Sequence, residues 1–199
     1  MRKYLPLIII LLVLLIDQAT KIYIKSNWVL GQEIRVADWF IIHFTENNGM
    51  AYGIELGGNW GKLALSLFRV VAISAIGFYL FSISKTKDKP LGYLISVALV
   101  FAGAMGNILD SAFYGMMFNE SYYQVAQFMP ETGGYAPFLY GKVVDMLYFP
   151  ILEGHFPEWF PFWSNDHFIF FRPVFNVADS SISVGIASVV LFYREILLK

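Results

Sequence analysis

Four long apolar stretches constrain this chain more than any other feature. They lie at about 4–24, 62–83, 91–110 and 176–197. A hydrocarbon layer is crossed by about 20 apolar residues in helical form, because every backbone polar group must then be satisfied within the segment. Four such runs in 199 residues leave no polar chain with which to bury them in a water-soluble core. The expectation is an all-α membrane protein of four transmembrane helices, with residues 1–199 forming one domain. Charged residues make up 15% of the chain, against roughly 25% in soluble domains. The first run follows Arg2 and Lys3 and resembles a secretory leader. No A-x-A-like cleavage site follows it and it ends in "DQATK", so it reads as a retained span. Pro90 marks the start of the third helix. Arg69 is an oddity inside the second.

Basic residues set the orientation. Arg2 and Lys3, then Lys85, Lys87 and Lys89, then Arg194 and Lys199 fall on one side of a four-span chain. By the positive-inside rule both termini are expected in the cytoplasm. Two loops, about 25–61 and 111–175, then lie outside. The first holds short β-prone runs such as "WFIIHFT" broken by Gly and Asn, which suggests a small sheet. The second is long and carries "HFPEWFPFW" and "HFIFFRP", an aromatic content suited to a membrane–water interface.

On this topology the unusual polar residues share one leaflet. Asp17 and Lys21 end the first span, Asn107 and Asp110 the third, and Asn176 and Asp179 begin the fourth. Asn47 and Asn48 lie in the first outer loop and Asp145 in the second. Ionisable groups at membrane depth face a bundle interior or cavity and are functional candidates. Asn107/Asp110 and Asn176/Asp179 are i,i+3 pairs, each on one helix face. Bland roles stay open at this point. Asp17 and Lys21 suit an ion pair or a headgroup contact. Asp110 suits a hydrogen-bonded structural carboxylate, Asp145 a surface turn, and Asp179 a helix N-terminus.

Two aspartates facing each other in a partly dry site share a proton. One then takes a proton from water while the other donates to the substrate. This chemistry needs no metal and no nucleophilic side chain. Competing chemistries find little support. There is no cysteine, His43, His155 and His167 lack metal-ligand spacing, and no G-x-S-x-G or phosphate-binding loop occurs. Ser180, Ser181 and Ser183 suit helix packing or capping. A net charge of −1 without a basic patch argues against nucleic acid. Two rivals remain, a proton-coupled transporter and a non-catalytic lipid- or partner-binding protein. Acids at one leaflet only argue against a relay across the bilayer.

The motifs then carry a resemblance. "DQATK" (Asp17 to Lys21), "NNGMAYG" (Asn47 to Gly53), "GAMGNILD" (Gly103 to Asp110), "GKVVDM" (Gly141 to Met146) and "FNVAD" (Phe175 to Asp179) occur in order over nearly the whole chain. Together they resemble the lipoprotein signal peptidase (signal peptidase II) family of aspartyl proteases. The resemblance implies a catalytic dyad of Asp145 and Asp179. It implies substrate-binding or site-supporting roles for Asp17, Lys21, Asn47, Gly49, Gly103, Asn107, Asp110, Asn176 and Ala178, with Asp110 structural. The implied substrate is a prolipoprotein carrying a diacylglyceryl-Cys, cut just before that Cys, with no cofactor or metal. The implied setting is the bacterial inner membrane, as a monomer among lipids, with the site near the outer leaflet. The implied fold adds an extracytoplasmic β-cradle and a loop with a short helix to the four spans, and globomycin-type inhibitors are the implied ligands. Two departures stand out. Ser111 occupies the family's Arg position, leaving Lys142, Arg172 or Arg69 to supply a cation. Residues 111–140 and about 150–171 lengthen the outer loop, as a lid, a partner site or surface decoration.

Overall fold

The computed structural model describes residues 2, 4–49, 58–86, 88–150, 152–155, 158–159, 167–170 and 173–197. Helix α1 spans Leu5–Asn27, with Pro6 in its first turn, where a missing N–H costs nothing. Strands β1 (Glu33–Ala37) and β2 (Phe40–Asn47) form a hairpin. Helix α2 spans Gly58–Lys85 and α3 spans Leu91–Leu109. The third helix does not stop where its apolar run does. It continues through a π-helical turn, Asp110–Tyr114, into a short α4, Gly115–Met117. Strands β3 (Val143–Tyr148), β4 (Leu152–His155), β5 (His167–Phe170) and β6 (Val174–Phe175) precede α5, Val177–Phe192. A break at Tyr193 leads to α6, Arg194–Leu197.

A helix lies along each of the four apolar stretches, with shifted ends. Among the described residues, three helices are long and apolar enough to cross a membrane: Leu5–Asn27, Trp60–Lys85 and Leu91–Met117. The apolar α5 is shorter, with 16 residues. At 1.5 Å per residue it reaches about 24 Å, short of the ~30 Å hydrocarbon thickness.

Helix α3 is the hub. It packs most extensively on α5, then on α1 and α2. Small residues make the α3–α5 contact close. A Cβ on Gly103 would lie 2.2 Å from the Ala178 carbonyl oxygen, so only glycine lets the mouth of α5 sit there. The outward faces of the helices are apolar, with Leu15 67% and Phe78 77% exposed, as a lipid-facing surface requires.

The sheet caps one end of this bundle. Its order is β1-β2-β3-β6, with every neighbouring pair antiparallel. Thr45 lies opposite Asp145 and Asn47 opposite Val143. Phe44, Val144 and Met146 join Ile24 and Trp28 of the α1 end and Tyr114 and Phe118 of the α3 extension in one buried cluster. The hairpin β4–β5 forms a separate two-stranded sheet. Among residues 111–140, the first seven thus extend a helix. The rest fold back along it as a strap, held by Tyr135 N–H to Phe118 O (2.9 Å), Ala136 N–H to Gly115 O (2.9 Å) and Gly141 N–H to Ser111 O (2.8 Å). Half of the second lengthened stretch, about 150–171, lies outside the described residues, as does Arg172.

Candidate active site where the sheet meets the helix mouths

Asp179 is placed by a reciprocal cap. Asn176 is the N-cap of α5, and its Oδ1 accepts the Asp179 N–H at 2.8 Å. Asp179 Oδ2 in turn accepts the Asn176 N–H at 3.3 Å. Two of the helix's orphan donors are thereby satisfied. So the helix-mouth role is real for Asp179. It uses only Oδ2 and leaves Oδ1 for something else.

Asp145 comes from the middle of β3, where strand alternation turns it toward the helix mouths. It is 4% exposed. Because Oδ1 of Asn176 is committed to the cap, its Nδ2 must face the other way. That amide donates to Asp145 Oδ1 at 2.7 Å, to Asn107 Oδ1 at 3.1 Å and to Val144 O at 3.2 Å. Asn107 Nδ2 then donates to Asp179 Oδ1 at 2.7 Å. Each carboxylate therefore receives an amide donor, and the two amides are themselves hydrogen-bonded. A second amide, Asn47 Nδ2, donates to Asp145 Oδ2. Burial, and after it the neighbouring Asp179 charge, push the Asp145 carboxyl up to about 8.

Beneath this pair sits a buried ionic cluster. Lys21 is fully buried and satisfies its three donors on Asp17 Oδ2 (3.0 Å), Asp110 Oδ2 (2.8 Å) and Asn107 Oδ1 (3.0 Å). The Asp17–Lys21 pair is thus an internal ion pair, and headgroup contact is ruled out for it by that burial. Asp17 Oδ1 accepts the Ala178 N–H at 2.9 Å, another free donor in the first turn of α5. Asp110 Oδ2 accepts the Val144 N–H at 3.3 Å, tying the cluster to the strand that carries Asp145. Gly106 lets Asp17 approach, since a Cβ there would sit 2.7 Å from Asp17 Oδ2. Gln18 completes the set by donating to Asp17 Oδ2 (3.1 Å) and Asp110 Oδ1 (2.9 Å).

The Asn47 amide is oriented by the turn that follows it, as Gly49 N–H donates to Asn47 Oδ1 at 2.6 Å. Gly49 has φ +89° and a Cβ there would lie 2.6 Å from the Arg69 guanidinium, so two separate demands select glycine. Arg69 reaches out of α2 to donate to Gly49 O. Its charge acts on Asp179, Asp110 and Asp145. Of the two described cations considered for the position left by Ser111, Arg69 is the one whose charge acts on these acids. Lys142 is engaged with Glu120 at 3.0 Å.

The residues expected at a site thus converge, from five separate elements. Asn48, counted with the converging polar set, accepts from Lys62 at 2.8 Å. His43, expected elsewhere, pairs with Glu33 at 2.9 Å on the surface. Ser180 bonds the Asn176 carbonyl and Ser181 the Leu99 carbonyl, which are capping and packing roles. The side chains of His155 and His167, and residues 50–53 of the second motif, are outside the described residues. Gln18 lies within "DQATK" with no role assigned by the sequence, and its place next to Asp17 is the available signal. Lys25, Glu46 and Ser121 carried no sequence signal.

Known proteins share these features. A sequence model of the family described as signal peptidase (SPase) II matches residues 9–194. A lipoprotein signal peptidase of Porphyromonas gingivalis is 49% identical over 185 residues, or 93% of this chain and 80% of that protein. One from Amoebophilus asiaticus is 35% identical over 189 residues, covering 94% and 76%. Among solved structures, a bacterial membrane enzyme superposes with a TM-score of 0.63 at 22% identity, covering 96% of this chain and 88% of that one. A second superposes at 0.59 and 24% identity, covering 94% and 90%. Both share the fold.

Proposed function

This chain belongs to the signal peptidase II family, and we propose that it removes signal peptides from prolipoproteins by aspartic chemistry at Asp145 and Asp179. It is a protease and a multi-pass membrane protein. The observation that carries the dyad is the amide bridge: Asn176 Nδ2 on the buried Asp145 Oδ1 and Asn107 Nδ2 on the half-buried Asp179 Oδ1 link two acids from distant segments through one hydrogen-bonded pair of amides.

The substrate is a prolipoprotein whose Cys already carries diacylglycerol, and the cut falls just before that Cys. Its signal helix enters from the lipid and presents the scissile carbonyl to a water held by the dyad. The pair holds one proton, and the raised Asp145 favours it there. Asp179 takes a proton from the water as its oxygen attacks the carbonyl carbon. Asp145 gives its proton to the carbonyl oxygen, forming a neutral gem-diol. Collapse breaks the C–N bond. The proton on Asp179 passes to the leaving amine and a hydroxyl proton returns to Asp145. The products are a signal peptide ending in a carboxyl group and a lipoprotein with a free amino-terminal Cys. Asn47 and Asn176 hold Asp145 through their side-chain amides.

The remaining placement follows the sequence. Both termini lie in the cytoplasm, the site lies near the outer leaflet of the bacterial inner membrane, and the sheet is extracytoplasmic. Lipids surround the monomer, and globomycin-type inhibitors occupy the substrate groove. The test is incubation of detergent-purified protein with a diacylglyceryl-modified prolipoprotein, followed by its size shift. Cleavage by the parent and its loss in Asp145→Asn and Asp179→Asn are expected. Undiminished cleavage by either variant would overturn the dyad.

A further inference from the structure

A second buried lysine lies one turn beyond Lys21 on the same face of α1. Lys25 is fully buried and pairs with Glu46, which is 1% exposed and stands next to Asn47 on β2. Its Nζ also donates to the buried Ser121 Oγ at 2.9 Å, and Ser121 Oγ donates to Glu46 Oε1 at 3.0 Å. Ser121 belongs to the strap. On the far side, Lys142 binds Glu120 of the strap at 3.0 Å and stands 3.9 Å from Glu46 Oε2. Both ammonium groups lie over the Tyr135 ring, each 5.1 Å from its centroid. One ionic cluster therefore grips the chain just before Asn47 and just before the β3 strand of Asp145.

Stability alone explains this arrangement poorly. Burying two charges is expensive, and apolar residues of similar volume often serve a fold as well or better. The cluster is also incomplete, because buried Glu46 Oε2 has no hydrogen-bond partner. What the cluster does supply is position. Glu46 is held in line with Val144 across the β2–β3 ladder, so any slip of Glu46 carries Asn47 away from Asp145.

We propose that the Lys25–Glu46 pair, locked by Ser121 of the strap, is a positioning device for the reaction, fixing β2 so that Asn47 holds Asp145. On this account the strap is neither lid nor decoration. It is the outer jaw of a clamp whose inner jaw is α1. The proposal rests on the assignment of Asp145 to the dyad.

The informative variant is the double replacement Lys25→Met with Glu46→Met, which removes both charges and leaves no unpaired ion. It is compared with the parent, with Asp145→Asn and with Ser121→Ala in full-length protein, using the same diacylglyceryl-modified prolipoprotein. The double variant is expected to unfold at or near the parent's temperature, with KM little changed and kcat lowered about 10- to 100-fold, the loss expected from a small misplacement near reacting groups. The pH limb governed by Asp145 moves upward, because a hydrogen bond to its charged form is weakened. Ser121→Ala moves the same quantities in the same direction by less, and it carries the test alone if the double variant fails to accumulate. Parent kcat and pH profile in a folded double variant, or in Ser121→Ala when it stands alone, would overturn the positioning role while leaving the dyad intact. Full activity in Asp145→Asn would instead overturn the dyad, and the positioning role with it.

Discussion

Lys21 Nζ lies 3.0 Å from Asn107 Oδ1, and this contact fixes the direction in which the Asn107 amide points. An ammonium group has only donors, so the asparagine must offer it oxygen. Its nitrogen is thereby turned to Asp179 Oδ1, 2.7 Å away. The α5 cap imposes the same logic on Asn176, whose nitrogen is turned to Asp145. A lysine and a helix N-terminus thus set the polarity with which the two acids are solvated by protein.

Removing that lysine should be costly. Lys21→Met leaves Asp17 and Asp110 buried without their cation, a loss of about 3–5 kcal/mol for breaking a buried pair. We expect little folded protein, and measurable amounts only at low pH, where the two acids can be protonated. Thermal unfolding in detergent between pH 4 and 8 checks this. Parent-like stability at pH 8 would contradict it.

Asp145 gives stability its own pH dependence. Its folded value of about 8 lies above the ordinary carboxylate value. Between those two the folded state binds a proton that the unfolded state does not, so this group's contribution is greatest at low pH and is lost as pH rises through about 8. The parent's unfolding temperature should fall from pH 6 to 9. In Asp145→Asn that part of the slope should vanish, and cleavage should fall by about a thousandfold or more.

Arg69 stands near the same acids. Arg69→Gln removes a positive charge that favours their ionised forms, so the Asp145 limb of the pH–kcat profile should move to higher pH. Arg69→Lys keeps the charge and should move it less. A profile unchanged in Arg69→Gln would show that the guanidinium serves only to hold Gly49.

Gly103 tests the mouth of α5 from behind. Gly103→Ala places a Cβ 2.2 Å from the Ala178 carbonyl oxygen, a backbone atom that cannot rotate aside. We expect about 1–3 kcal/mol of destabilisation from overpacking. Displacing Asp179 relative to Asp145 should also lower kcat about 10- to 100-fold. Normal kcat with the expected stability loss would separate packing from alignment.

Much of this was legible in the sequence, and the reason is local geometry. Asp17 and Lys21 are one helical turn apart, and Asn176 and Asp179 share the face of a cap, so their partnerships needed no tertiary knowledge. The common depth of the polar residues followed from counting spans. What the sequence could not carry is contact between elements. Arg69 points into the site from the apolar α2, where it donates to Gly49 O across 20 positions of chain. The strap's Ser121 meets Lys25 across 96 positions of chain. The helix beyond Asp110 continues because Ser111, Ala112 and Tyr114 find a buried place against the strap and sheet, which no apolar run announces.

The shortness of α5 has a consequence for the lipid itself. Arg194, just past its end, anchors best among headgroups, and Asp179 lies about 22 Å along the helix axis from it. In a bilayer about 30 Å thick the proposed dyad would then sit several ångströms under the far headgroups. Its depth would follow the thickness of the membrane. Longer acyl chains would bury the acids deeper or force the sheet to indent the leaflet, and shorter ones would open them to bulk water.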